Sequence, residues 1–253
     1  MTQVIRRGAM AALILALLGG LAAISPGPLY KADLVALGGA FWTLRQAALL
    51  CIAAAALAGL LIVAGLFRGV PWRTGLALLV AFAIGTGTAD TIAGMREKAA
   101  RNPIHDVTSD VDDPPQFALL SPRTYDDGSR AGRAAHPHPH WRLAHRYLYA
   151  DIDTVTLATD PAETLKAVRA AAEAMGWQIA GTRQAAGRQY LEATATTGWF
   201  GFTDQLVIRL APGEAGTAVD IRSVSQIGVS DLGANAERVR TFFEQLDRQT
   251  TPS

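Results

Sequence analysis

Uncharged apolar runs fill the first 95 residues of the chain. Gly8–Tyr30 and Ala47–Phe67 carry no charged side chain, and Thr74–Met95 carries only Asp90. Each is close to the roughly 20 residues that cross a bilayer core, so three membrane spans are expected at about 8–30, 47–67 and 74–95. Beyond residue 150 the periodicity shortens. Thr154–Leu157 alternates as a strand, and Asp160-Pro161-Ala162-Glu163 then supplies an N-cap, a proline at the first helical position and a capping-box glutamate. Leu165, Val168, Ala172 and Met175 form the buried stripe of that helix, and Gly176 ends it. Four strands follow, carried by Trp177 and Ile179, by Leu191, Ala193 and Ala195, by Leu206, Ile208 and Leu210, and by Val219 and Ile221. Turns are expected at Ala186-Gly187 and Pro212-Gly213. A last helix has its stripe at Leu232, Ala236, Val239, Phe243 and Leu246. The expected fold is α+β: three N-terminal transmembrane helices, then a small antiparallel sheet domain of order β-α-β-β-β-β-α with both helices on one face. The expected parts are a transmembrane region at 1–95, a proline-, histidine- and aspartate-rich extended segment at 96–149, and the sheet domain at 150–253.

Composition agrees with a membrane protein, since half of the 253 residues are hydrophobic and only 18% are charged. Arg6 and Arg7 precede the first span, and Arg68 and Arg73 lie between the second and third. The positive-inside bias places both positions in the cytoplasm. Three crossings then set the C-terminal domain outside the cytoplasm. The first run also reads as a signal peptide with small residues near Ala22-Ala23; removing it leaves two spans and the same outcome. The single cysteine, Cys51, excludes an intramolecular disulfide. Residues 96–253 hold 17 basic and 20 acidic side chains, a net of −3, which excludes the positive field that nucleic-acid binding requires.

Candidate chemistry concentrates where the last strand meets the last helix. Val219 and Ile221 alternate with Asp220 and Arg222, so a strand buried on one face is expected. Arg222, Ser223, Ser225, Asp231, Asn235 and Arg238 then read as turn caps and solvated helix positions, or as a polar cluster that binds a ligand or partner. Trp199, Phe200 and Phe202 beside Gly198 and Gly201, followed by Asp204, read as a core closure or as an apolar rim that touches lipid or a partner.

Three stretches carry a family resemblance: RSVSQIGVSDLGANAERVRTF at 222–242, GWFGFTDQLVIRL at 198–210 and NPIHDVTSDVDDPPQF at 102–117. In that order, over about the last 150 residues, they resemble the family called domain of unknown function 1499. The resemblance implies a protein of the bacterial envelope or plastid lumen with no agreed activity, and it transfers no catalytic residue.

Other candidates are weaker. Asp90 lies near the end of its span, within reach of the headgroups. Gly85 and Gly87 suit close helix packing. Asp110, Asp112 and Asp113 offer oxygens but lack the glycine and distal glutamate of a calcium loop, so a solvated turn is expected. His136, His138, His140 and His145 are metal-ligand types, yet the intervening prolines hold the first three in extended backbone, as in an exposed linker. No GxSxG, HExxH, P-loop or dinucleotide fingerprint occurs, and no histidine follows His145. No cofactor is expected. An enzyme would have to use Asp204, Asp231, Arg222 or Arg209 with serine or tyrosine. The leading expectation is a non-enzymatic membrane protein whose exported domain binds an envelope protein, a lipid or a small ligand through 199–204 and 222–238. The alternative is an envelope enzyme or metal protein built on His136–His145.

Overall fold

A computed structural model describes residues 2–122 and 138–250. The chain divides into two compact units, Met1–Glu97 with Trp199–Gly201, and Lys98–Gly198 with Phe202–Ser253.

The first unit is helical: α1 (Thr2–Ile24), α2 (Pro26–Lys31), α3 (Leu37–Leu66) and α4 (Trp72–Arg101). Three stretches are long and apolar enough to cross a membrane, Gln3–Lys31, Leu37–Leu66 and Trp72–Arg101. The expected first and third spans fall inside them, and the second overlaps its helix but runs one residue past Leu66. Small residues that allow close van der Waals approach carry the packing between these apolar helices. Ala9, Ala12 and Ala16 of α1 meet Ala54 and Ala58 of α3, with Leu78 and Ala81 of α4 in the same cluster. A Cβ at Gly19 would stand 2.6 Å from Cys51 Sγ, and one at Gly85 would stand 2.6 Å from the Cys51 carbonyl oxygen. Gly85 is therefore a packing glycine, whereas Gly87 has nothing within 4 Å of its Cβ position.

The second unit contains β1 (Asp106–Thr108), α5 (His138–Leu148), β2 (Val155–Leu157), α6 (Pro161–Ala174), β3 (Gln178–Ala185), β4 (Arg188–Thr196), β5 (Thr203–Gly213), β6 (Gly216–Ser225) and α7 (Ala234–Thr250). From β2 onward the order is the expected one. The sheet is antiparallel in the order β1-β6-β5-β4-β3, with β2 also paired to β6. Asp160 caps α6 by accepting from Ala162 N at 2.8 Å and Glu163 N at 2.9 Å. Glu163 turns outward to Lys166 at 2.7 Å instead of closing a capping box. Ala186 and Gly187, at φ 50° and 72°, make the tight β3–β4 turn.

Leu191, Ala193, Leu206, Ile208, Leu210, Val219 and Ile221 form the core with Val168, Ala171, Ala172, Val239, Phe242 and Leu246 of the covering helices. The α7 stripe differs from its expected phase. Leu232 lies ahead of the helix and is exposed, and Phe242 is the buried phenylalanine, stacked on Trp177 at 5.4 Å. Both phenylalanines satisfy helical spacing from Val239, and contact with Trp177 decides between them.

The other face of the sheet is also buried. Tyr190, Glu192, Val207, Arg209, Asp220 and Arg222 are all under 9% exposed, which corrects the expectation of a β6 buried on one side only. Their cover is the segment after β1, part of the stretch expected to be a linker. Arg209 donates to Asp110 Oδ2 at 2.8 Å and to Asp113 Oδ2 at 2.7 Å. Arg183 donates to the Gln116 carbonyl at 2.6 Å. The Glu192 carboxylate accepts from three consecutive amides, Ala118, Leu119 and Leu120, at 2.8, 3.0 and 2.8 Å. These anchors lay residues 110–120 across β5, β4 and β3 as a strap.

Candidate functional site

The corner expected to bind is a hydrogen-bonded network, and its residues divide between two faces of the sheet. Successive residues of a strand point to opposite sides. Arg222 therefore faces the strap, while Ser223 and Ser225 face α7.

On the strap side, Arg222 Nε and Nη2 donate to the two oxygens of Asp106 at 2.9 and 2.7 Å, and both side chains are fully buried. The guanidinium also lies 5.7 Å from the Trp141 ring centre, a cation–π distance. Buried charges persist only when paired and hydrogen bonded, and this fork-to-fork geometry meets that condition. Beside it, Arg209 donates through Nε and Nη2 to Asp220 Oδ2 at 3.1 and 2.8 Å. Asp220 accepts as well from Ser109 and Thr154 hydroxyls at 3.2 and 2.6 Å.

On the helix side, Asn235 donates to the His105 carbonyl at 2.9 Å and to Ser225 Oγ at 2.8 Å, and accepts from Ser223 Oγ at 2.6 Å. Arg238 donates to Asn235 Oδ1, to Ser223 Oγ at 3.0 Å and to Asp204 Oδ2 at 2.6 Å. Asp231 accepts from Gly233 N and Asn235 N at 2.8 and 2.7 Å, capping the start of α7. Burial raises the Asp231 pKa, opposed by those two backbone bonds. Asp204, Ser223, Ser225, Asp231, Asn235 and Arg238 thus come together, and Arg222 and Trp199 do not join them. Trp199 belongs to the helical unit and stands 4.8 Å from Phe200, ring centre to ring centre.

The loop that this network supports is the accessible part of the corner. Ser230 Oγ accepts from Leu232 N at 3.1 Å. Leu232 adopts a left-handed backbone, φ 61°, which is costly for a residue with a bulky side chain. Leu232 is 43% exposed and Val229 is 56% exposed.

The histidine run behaves differently from an extended linker. His136 lies outside the described residues. A helix, α5, begins at His138, where Pro139 falls in the first turn and costs no intrahelical bond. His140 is exposed and His145 is buried. They lie five positions apart on the helix, about 140° of rotation at about 100° per residue, so they sit on different sides of α5. Among the described residues no group of three or more His, Cys, Asp or Glu side chains is arranged to hold a metal. Asp110 forms a turn, accepting from Asp112 N and Asp113 N at 3.0 and 2.9 Å, and all three aspartates pair with arginines.

His145 and Trp141 have a role that composition did not announce. β1 is an edge strand, and α5 satisfies its outward groups: Trp141 Nε1 donates to the Asp106 carbonyl at 2.9 Å, and Thr108 N donates to His145 Nε2 at 3.1 Å. Acceptance at Nε2 requires a neutral ring with its proton on Nδ1, and Nδ1 has no hydrogen-bond partner among the described residues. Burial pushes the His145 pKa down to about 4, against a raising effect of Asp106; the charges of Arg146 and Arg222 push it the same way as burial.

The sequence model of the family described as protein of unknown function (DUF1499) matches residues 106–246. The chain belongs to this family. The match begins at β1 and ends within α7, so the strap and α5 are inside the family domain together with the sheet. Comparison with curated proteins and with solved structures finds no match.

Proposed function

We propose that this DUF1499 protein is a multi-pass protein of the bacterial inner membrane that holds its sheet domain on the periplasmic side and binds a partner protein there without catalysis. The observation that carries this is the 229–232 loop. Val229 and Leu232 are exposed, Leu232 from a left-handed backbone, above a network in which Asn235, Ser223 and Arg238 satisfy one another. Strained backbone at an exposed position persists only where surrounding structure holds it, and such positions cluster at functional sites. A rigid loop with two apolar side chains loses little entropy on docking. Ser223, Ser225, Asp231, Asn235 and the largely buried Arg238–Asp204 pair act from beneath the contact, while Arg222 acts from the opposite face of the sheet.

Two measurements test the proposal. Glu214→Cys, on the exposed β5–β6 turn, should react with a membrane-impermeant maleimide in spheroplasts; labelling only after lysis reverses the orientation. A photo-crosslinking residue at position 229 of the full chain should give a discrete adduct in cells that Leu232→Asp abolishes. An adduct unchanged by Leu232→Asp, or none at all, removes the loop as a docking site.

A further inference from the structure

We infer that the crevice between α1, α3 and α4 holds an acyl chain of a membrane phospholipid. The inference rests on the helices spanning a bilayer, as proposed above. A cavity of about 520 Å³ lies within the helical unit, lined by Leu17 and Leu21 of α1, Leu44 of α3, and Ile84, Ile92 and Met95 of α4. That volume falls in the range of small-molecule sites, about 300–1,000 Å³.

Its walls are chemically apolar even where hydroxyls occur. Thr91 Oγ1 donates to the Gly87 carbonyl at 2.8 Å, and the Thr88 side chain bonds that of Cys51. Water entering the crevice would find few partners, and a buried water ordinarily needs two to four. An empty crevice would leave its lining without dispersion contacts on one side. Hydrocarbon is what a bilayer supplies at that depth.

The position of the crevice narrows the occupant. Its helical lining comes from the C-terminal part of α1, the middle and C-terminal part of α4 and the N-terminal part of α3, with Trp199 completing it. With the three helices crossing in alternate directions, those segments lie in one leaflet, the one from which α4 exits. Space comes from missing side chains: Gly20 and Gly87 both line the crevice, and a Cβ at Gly87 would meet nothing within 4 Å. A lipid tail of that leaflet fits the gap with its headgroup left at the interface.

The test uses the full chain reconstituted in nanodiscs of palmitoyl-oleoyl phosphatidylethanolamine and phosphatidylglycerol, then released for native mass spectrometry. Gly87→Leu adds bulk at the crevice lining, where a Cβ meets nothing within 4 Å. Gly94→Leu adds the same bulk to α4 outside the lining, where a Cβ also meets nothing within 4 Å. One phospholipid should remain on the wild-type chain and on Gly94→Leu, and its retention should fall several-fold in Gly87→Leu. Equal retention in all three, loss from all three, or a retained mass that is not a phospholipid overturns the inference. Carbonate extraction of the same preparations separates this from failure of the membrane assignment, which would release the wild-type chain as a soluble protein.

Discussion

Arg222 and Asp106 meet side chain to side chain, at 2.9 and 2.7 Å, from strands that lie 116 residues apart in the chain. Both are fully buried, so neither can recover hydration if the other is removed. Arg222→Ala or Asp106→Ala should each cost about 3–5 kcal/mol, because each leaves an uncompensated buried charge. Replacing both with apolar residues, as in Arg222→Met with Asp106→Leu, should cost less than either single change. Chemical denaturation of the full chain in detergent, followed by tryptophan fluorescence, gives the comparison. Single variants that lose under 1 kcal/mol would show that the pair is not closed to water.

His145 should make the sheet domain acid-sensitive. Its folded pKa, near 4, lies below its ordinary value of 6.5, so the unfolded chain takes up the proton first. The stability held by the neutral ring is complete above pH 6.5 and is lost as pH falls toward 4, up to roughly 3 kcal/mol. Unfolding midpoints measured from pH 7 to pH 4 should fall accordingly. In His145→Gln, whose amide oxygen can still accept from Thr108 N, that part of the slope should vanish.

Glu192 fixes the end of the strap with one carboxylate and three amides. Charge-assisted bonds of this kind are worth about 1.5–3 kcal/mol each. In Glu192→Ala, hydrogen exchange at Ala118, Leu119 and Leu120 should speed up by about tenfold or more, a change that corresponds to about 1.4 kcal/mol of local opening. Exchange in β5 should stay slow. Unchanged rates at the three amides would mean that something other than Glu192 holds the strap.

Gly85 and Gly94 lie on the same helix with opposite surroundings. A methyl at Gly85 would strike the Cys51 carbonyl oxygen at 2.6 Å, whereas one at Gly94 would meet nothing. Gly85→Ala should force α3 and α4 apart and lower the melting temperature in detergent. Gly94→Ala should leave it unchanged or raise it slightly, since alanine is the better helix former. Equal melting temperatures would remove Gly85 from the helix contact.

The three long apolar helices and the order of elements from β2 to α7 were legible because their causes are local. Twenty uncharged residues, the Asp160 cap and the Ala186-Gly187 turn act within a few positions of themselves. The strap and α5 were not legible. Residues 110–120 have no period of their own, and their conformation is set by Arg209, Arg183 and Glu192, 67 to 99 positions later. Pro137 and Pro139 disguised the start of a helix whose reason to form is the burial of Trp141 and His145. At the corner, the residue types were right for a polar cluster. Period-2 alternation, applied at Arg222 and Ser223, already separates the two faces, and the partner of Arg222, Asp106, carries no mark in the sequence beyond its charge.

Synthesis order adds a consequence to the strap. Asp106 leaves the ribosome 116 residues before Arg222, and the strap amides at 118–120 precede Glu192 by 72 to 74 residues. At roughly 10 residues per second, the first strand waits on the order of ten seconds for its counter-charge. Until then its carboxylates remain hydrated and its edge unpaired. The domain therefore closes from its last strand backward, and a chain that stops short of Arg222 has an unmatched beginning as well as a missing end.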